Sequence, residues 1–181
     1  MKLVILDRDG VINHDSDDYI KSVDEWIAID GSIEAIVRLN QAGYNVAVAT
    51  NQSGISRGYF TISTLNAMHQ KMYELVQRAG GHIDGVFFCP HSPSDLCECR
   101  KPEPGLLYEI ADRFTVSLDT VFFIGDSFSD IQAARNANAK PVLGRTGKGE
   151  RTESKLSDST VPVYDNLSAA VRALLNGDLI A

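Results

Sequence analysis

Short apolar segments recur along the chain, and each gives way to polar or small residues. This pattern predicts buried strands at residues 2–6, 46–50, 85–88, 120–124, 140–143 and 161–164. Between them, apolar residues recur at helical spacing and predict helices at residues 32–42, 61–79, 103–114, 129–138 and 166–175. Buried strands that alternate with helices indicate an α/β fold with a central parallel sheet covered on both faces. We interpret the polar stretch from residue 144 to 159 as a loop.

The ends of the predicted strands carry residues suited to chemistry. Asp7 directly follows the first strand, and Thr50 ends the second. Cys89 follows the third strand, and Asp126 follows the fourth after one glycine. Parallel sheets bind ligands at the carboxyl ends of their strands. We therefore expect a ligand site at this edge of the sheet.

Length and charge narrow the class of protein. The 181 residues suit one compact domain, predicted to span residues 1–181. A net charge of −7 disfavours a nucleic-acid partner, because basic residues drive binding to phosphates. No apolar run approaches the ~20 residues of a membrane span, and we find no secretory signal, so a cytoplasmic location without a membrane partner is expected. No apolar stripe is left over for a partner chain, which favours a monomer.

Asp7 and Asp9 stand two residues apart at the end of the first strand. If the strand geometry continues, both carboxylates lie on one side of the backbone and can flank one substrate. Asp7 could then attack a phosphorus atom, while Asp9 protonates the departing alcohol and afterwards deprotonates the attacking water. Such a pair at a strand end is equally typical of a turn or a helix cap, so the pair alone leaves both interpretations open.

A carboxylate that attacks a phosphate dianion needs positive charge nearby. Asp7 and Asp126 offer the oxygen ligands that Mg²⁺ prefers, and Lys101 supplies an ammonium for the phosphoryl oxygens. The Thr50 hydroxyl and nearby backbone N–H groups supply hydrogen-bond donors. Asp130 is predicted to tie down Lys101 or its loop. The segment from Asp126 to Asp130 could also be a simple cap of the helix that follows.

Four soft metal ligands lie within residues 89–99: Cys89, His91, Cys97 and Cys99. Three thiolates and one imidazole make a complete tetrahedral set for structural zinc, with no position left open for water. The alternative is three free cysteines on a loop. Zinc would stiffen the loop that leads directly into Arg100 and Lys101, and so would position these cations without taking part in the chemistry.

The ordered motifs resemble the haloacid dehalogenase superfamily of phosphohydrolases. The resemblance covers nearly the whole chain and rests on Asp7-Arg-Asp-Gly10, Thr50-Asn51, Arg100-Lys101-Pro102 and Gly125-Asp126-Ser-Phe-Ser-Asp130. It implies a Rossmann-like three-layer sandwich in which Asp7 is the nucleophile and Asp9 the acid and base. It also implies Mg²⁺ held by Asp7, by the backbone carbonyl of Asp9 and by Asp126. The short spacing between motifs leaves no room for a separate cap domain.

Longer matching segments narrow the resemblance to the phosphatases of D-glycero-D-manno-heptose 1,7-bisphosphate, which serve ADP-heptose synthesis for lipopolysaccharide. They lie at residues 6–13, 50–58 and 99–105, together with the zinc loop. The resemblance implies hydrolysis of the 7-phosphate of this small sugar bisphosphate through an aspartyl-phosphate intermediate. It implies that Arg100 recognises the substrate and that Lys101 stabilises the transferring phosphoryl group. It further implies substrate contacts by Asp15, Tyr19, Asn51, Gln52 and Ser53.

Other functions remain open to different degrees. Phosphatases of histidinol phosphate or of another small phosphate ester share these motifs, and the sequence separates them poorly. A zinc-stabilised domain without catalysis is disfavoured because Asp7 and Lys101 are both present, and a phosphatase of DNA ends is disfavoured by the acidic charge. Ser127 stands where some heptose phosphatases carry a lysine, and the loop after Asn13 is one residue longer than the family pattern. The missing lysine is expected to alter the preference for the second phosphate or for the sugar anomer.

Overall fold

The computed structural model describes residues 1–157 and 160–179. Within them, six strands form one parallel sheet in the order β3-β2-β1-β4-β5-β6. The strands are β1 (Lys2–Leu6), β2 (Tyr44–Asn51), β3 (Gly85–Cys89), β4 (Phe122–Gly125), β5 (Lys140–Gly144) and β6 (Val163–Tyr164). The helices are α1 (Ser32–Gln41), α2 (Ile62–Arg78), α3 (Gly105–Phe114), α4 (Phe128–Asn136), α5 (Gly149–Glu153) and α6 (Leu167–Asn176). This strand order is the doubly wound, Rossmann-like arrangement.

Successive residues of β1 face opposite sides of the sheet. Val4 and Leu6 pack into one core with helices α1, α2 and α6, whereas Leu3 and Ile5 pack into a second core with α3 and α4. All four side chains are buried. Because helices cover both faces, β1 reads as a continuous apolar run rather than as an alternating pattern. The predicted three-layer sandwich is confirmed.

The predicted elements agree with the observed bounds to within about two residues. Local polar groups explain where two of the helices begin. Thr61 caps α2 by accepting a hydrogen bond of 3.1 Å from the Thr64 N–H. Ser127 caps α4 in a reciprocal capping box with Asp130. The segment from Asp126 to Asp130 therefore does cap the helix that follows it, which was the alternative interpretation of this motif.

The interpretation of residues 144–159 as a loop is partly wrong. Gly144 ends β5, and residues Gly149–Glu153 form α5. This helix is too short to show a helical hydrophobic period, and only Gly149 and Thr152 of it are buried. Residues 158 and 159 of the same stretch lie outside the described residues.

The chain order reverses direction across the sheet at β1. From β1 the chain adds β2 and β3 on one side, and then β4 to β6 on the other. Ligands bind at such a switch point, beyond the carboxyl ends of the strands. The loop of residues 7–31 after β1 and the loop of residues 90–104 after β3 stand over this edge, and no separate cap domain is present in the described part of the chain. None of the described helices is both long and apolar enough to cross a membrane.

Candidate active site

A cavity of about 330 Å³ opens at the carboxyl ends of the central strands. Its lining includes every residue that the sequence assigned to magnesium, catalysis or substrate: Asp7, Asp9, Asp15, Tyr19, Thr50, Asn51, Gln52, Ser53, Arg100, Lys101 and Asp126. These residues come from loops that are far apart in sequence. As expected from their positions at or after the strand ends, they meet at one edge of the sheet.

Lys101 lies at the floor of the cavity and is almost fully buried, with 3% of its surface exposed. Its Nζ is 2.9 Å from Asp7 Oδ1 and 2.6 Å from Asp130 Oδ1, and it donates a hydrogen bond of 2.8 Å to the Ala49 carbonyl. Burial opposes its charge, but the carboxylates of Asp130 and Asp7 raise the pKa of Lys101 above its ordinary value. The ammonium stays charged, and the predicted tie between Asp130 and Lys101 is confirmed.

Asn51 fixes the backbone of Lys101. Its Nδ2 donates to the Lys101 carbonyl at 3.0 Å, and its Oδ1 accepts from the Lys101 N–H at 3.0 Å. The end of β2 and the loop after β3 are thereby joined at the cavity wall. Asn51 therefore both lines the cavity and fixes the backbone of Lys101.

The carboxylates of Asp7, Asp126 and Asp130 place oxygen atoms within 4.8 Å of one another. Burial, followed by the charge of Asp130, raises the pKa of Asp7 to about 7 and that of Asp126 to about 8. Asp130 is occupied: its Oδ2 accepts from the N–H groups of Asp126 and Ser127, at 3.2 and 3.0 Å. Asp7 and Asp126 are thus the carboxylates that would hold a hard divalent cation, and the donor set fits Mg²⁺.

Arg8 holds Asp9 in place, a contact that sequence reasoning missed. The fully buried Arg8 guanidinium lies 2.8 Å from Asp9 Oδ1, and Asn13 and Gln52 each donate to the same carboxylate at 2.8 Å. Burial raises the pKa of Asp9, but the Arg8 charge and these hydrogen bonds outweigh it and hold the pKa below its ordinary value. Behind Arg8, burial and the guanidinium charge lower the pKa of His69 to about 3, so the imidazole is neutral.

Residues 145–148 pack against the loops that follow β1 and β4 and carry Asp7 and Asp126. Sequence reasoning also missed this contact. Thr146 Oγ1 donates to the Gly10 carbonyl at 2.6 Å, and the Lys148 N–H donates to Asp126 Oδ2 at 2.7 Å. A side chain at Gly147 would overlap both the Asp126 carboxylate and Gly10. The sequence could have indicated them only by position, because they directly follow strand β5 in the same way that Asp7 follows β1.

The predicted zinc ligands meet at one point. The sulfur atoms of Cys89, Cys97 and Cys99 and Nδ1 of His91 lie within 4.8 Å of one another, with contacts of 2.9 to 3.6 Å. The cysteines are free, not disulfide-bonded. Zinc–sulfur bonds of about 2.3 Å would set tetrahedral ligands roughly 3.8 Å apart, so this compact set fits zinc. Arg100 adjoins it and donates to the His91 carbonyl at 3.3 Å.

Known proteins resemble this chain in sequence. A family model described as HAD-hydrolase-like matches residues 98–170. The D-glycero-beta-D-manno-heptose-1,7-bisphosphate 7-phosphatase of Pseudomonas putida is 52% identical over 97% of this chain and 100% of its own length. The enzyme of that name from Neisseria meningitidis is 56% identical over 86% of this chain and 83% of its own. The chain belongs to the HAD-like phosphatases.

A solved structure extends the likeness to three dimensions. The D,D-heptose 1,7-bisphosphate phosphatase of B. bronchiseptica, crystallised with magnesium and phosphate, has a TM-score of 0.95 and 49% identity, covering 98% of this chain and 99% of that one. The predicted superfamily, the Rossmann-like HAD fold and the enzyme class, a hydrolase of phosphate monoesters, are confirmed.

We predict that Gly147→Ala impairs both activity and stability. The residue has a φ of +59°, and a side chain there would collide with Asp126 and Gly10. Left-handed strain costs about 1–2 kcal/mol and overpacking about 1–3 kcal/mol. Thermal unfolding and phosphatase assays measure the loss. Gly43→Ala is the matched control, because its φ of +80° is similar but no atom lies within 4 Å of the added methyl group. Equal losses in both variants, with activity retained, would contradict the packing argument.

We also predict that stabilisation by Mg²⁺ grows with pH. The pKa values of Asp7 and Asp126 are raised from 3.8 to about 7 and about 8. In this window the metal-free folded protein binds more protons than the unfolded chain, so its stability falls as pH rises. A cation between the carboxylates compensates the negative charge that makes ionised Asp7 and Asp126 unfavourable in the folded protein. The rise in Tm on adding MgCl₂ should therefore increase from about pH 6 to about pH 8 and then level off. A rise that is independent of pH, or that is unchanged in Asp126→Asn, would refute this.

Proposed function

We propose that the chain removes the 7-phosphate of D-glycero-β-D-manno-heptose 1,7-bisphosphate through an aspartyl-phosphate at Asp7. The observation that carries the reaction is the position of Asp7, 2.9 Å from the buried Lys101 ammonium at the floor of the cavity. The substrate is supported by relatives of that name at 52% and 54% identity over nearly the whole chain. A place in ADP-heptose synthesis, in the cytoplasm, follows from the same substrate.

In the first step, a carboxylate oxygen of Asp7 attacks phosphorus and forms a new oxygen–phosphorus bond. The bond between phosphorus and the sugar oxygen breaks, and Asp9 gives a proton to that oxygen. Asp9 takes up this proton as substrate binds, because Arg8 and the hydrogen bonds keep its carboxylate ionised in the free site. Lys101 and the Thr50 hydroxyl stabilise the negative charge on the phosphoryl oxygens. Because Lys101 is fixed by Asp130 and Asn51, this charge is in place before substrate arrives.

In the second step, Asp9 takes a proton from a water molecule whose oxygen attacks phosphorus. The bond to Asp7 breaks, inorganic phosphate leaves, and Asp7 is a carboxylate again. The proton that Asp9 accepts here replaces the one it gave away. The Arg8 pairing, which lowers the pKa of Asp9, keeps this carboxylate in a fixed orientation between turnovers.

Asp7, Asp126 and the Asp9 backbone carbonyl would hold the catalytic Mg²⁺. When bound, the ion neutralises the repulsion between the attacking carboxylate and the phosphate. The burial of Asp7 and Asp126, and the repulsion that Asp130 exerts on both, support this assignment, because a divalent cation compensates both effects.

Substrate recognition is assigned to the remaining polar residues of the cavity wall. We infer that Asp15, Tyr19, Ser53 and Arg100 contact the sugar or its phosphates, together with Asn51 and Gln52. The zinc centre stabilises the loop that carries Arg100 and Lys101. Residues 1–181 then work as one phosphatase domain, with a monomer as the functional unit.

We predict that Cys97→Ala lowers the zinc content and the stability of the loop. A loss of ~2 kcal/mol would lower Tm by roughly 4–8 °C in a chain of this size. Metal analysis of the purified protein and thermal unfolding measure both effects. Leu96→Ala is the control, because Leu96 lies on the same loop and is 91% exposed. A wild-type protein without zinc would refute the assignment.

We predict a preference of about a hundredfold in kcat/KM for heptose 1,7-bisphosphate over histidinol phosphate, or roughly 2.7 kcal/mol in transition-state binding. Phosphate release with Mg²⁺ measures it. Asp7→Asn should abolish turnover of both substrates while leaving the fold intact, because the amide keeps the shape but is not a nucleophile. The reverse preference would keep the mechanism and replace the substrate, whereas substantial turnover by Asp7→Asn would overturn the mechanism.

A further inference from the structure

A basic groove adjoins the catalytic cavity on the side of α5. Its lining consists of Ser127, Phe128, Ser129, Lys148, Arg151, Thr152 and Lys155. Three of these described residues are cationic and none is acidic. Lys148 and two serines line both the groove and the cavity, so the two spaces are continuous. We call this feature the α5 groove.

A sugar bisphosphate brings a second phosphate that needs its own cations. Among the described residues, Arg100, Lys101 and Lys148 are the cations that line the catalytic cavity. Lys101 is paired with aspartates at the floor, where the reacting phosphate lies in the proposed mechanism. Arg100 follows β3 and Lys148 follows β5, and these strands lie on opposite sides of β1. The second phosphate therefore has two possible directions.

The charge of the two sides differs. The groove beside Arg100 contains one cation and one described acidic residue, Glu103. The α5 groove contains three cations and no acidic residue among those described. Even after the two carboxylates that pair with these cations are counted, the α5 side keeps one surplus positive charge, which stabilises a phosphate dianion.

Lys148 is held where such a phosphate would meet it. Its backbone N–H is fixed to Asp126 Oδ2, which links it directly to the catalytic carboxylates. Its side chain is half exposed, and Nζ lies 3.1 Å from Asp15 Oδ2 at the mouth of the cavity. Beside it, Arg151 Nη2 lies 3.2 Å from Asp17 Oδ1. The Arg151 pair is exposed, and Lys148 is half exposed in its pair. Exposed pairs contribute only about 0.2–1 kcal/mol, so a phosphate, which forms stronger charge-assisted bonds, can recruit these cations.

We propose that the α5 groove is the subsite for the second phosphate of the substrate, with Lys148 as its principal ligand and Arg151 beside it. The inference rests on the proposed bisphosphate substrate. It places a cation next to Asp126, whose carboxylate accepts the Lys148 backbone N–H. Lys148 is then a residue that determines specificity for bisphosphates.

The test compares heptose 1,7-bisphosphate with p-nitrophenyl phosphate, which has a single phosphate. Lys148→Met should lower the ratio of the two kcat/KM values about tenfold or more, chiefly through a higher KM for the bisphosphate. Lys148→Arg should restore most of the ratio, because it keeps the charge. Lys140→Met is the control, since Lys140 begins β5, at the end of the strand away from the cavity and from Lys148, and should leave the ratio at the wild-type value.

Two results would overturn the inference. An unchanged ratio in Lys148→Met would show that the second phosphate binds elsewhere. An equal loss with both substrates would show that Lys148 acts only through Asp126. A wild-type protein that does not prefer the bisphosphate would instead refute the proposed function, and the subsite with it.

Discussion

The site depends on one buried ammonium group held between two carboxylates. Lys101 lies 2.9 Å from Asp7 and 2.6 Å from Asp130, with almost none of its surface in contact with solvent. A buried charge is tolerated only when it is paired and hydrogen-bonded. Removing Lys101 would leave two buried carboxylates without their shared cation, whereas removing Asp7 would leave Lys101 paired with Asp130. The same arrangement gives Asp7 a fixed positive neighbour, which a carboxylate needs before it can attack a phosphate.

Several otherwise separate features serve to hold this group. Asn51 fixes the backbone of Lys101, and Ser127 and the start of α4 fix Asp130. The residues after β5 pack so closely on Asp126 that Gly147 has no room for a side chain. The cysteine and histidine cluster brings together the two ends of the loop that leads into Lys101. Each loop is anchored at the end of a parallel strand, so the sheet sets the geometry of the charges.

Much of this could be predicted from sequence, because strand ends in a parallel sheet converge. Asp7, Thr50 and Asp126 were expected at one edge, and they line one cavity. The cysteine and histidine cluster could be predicted from residue type and spacing, and its side chains meet at one point. Arg8 was not recognised, because a fully buried arginine has no apolar signature in the pattern. The residues around Lys148 were missed because α5 is too short for a helical period and its contacts with Gly10 and Asp126 are long-range.

The role of Asp7 as the nucleophile can be tested by trapping the covalent intermediate. Turnover of the bisphosphate with Mg²⁺ would be stopped by acid, and the protein reduced with borohydride, which converts an aspartyl-phosphate to homoserine. Peptide mass spectrometry would then locate the product. We expect homoserine at position 7, at a level that depends on substrate, and none in Asp7→Asn. Homoserine at another aspartate, or its absence from an enzyme shown to retain a phosphoryl group during turnover, would contradict Asp7 as the nucleophile.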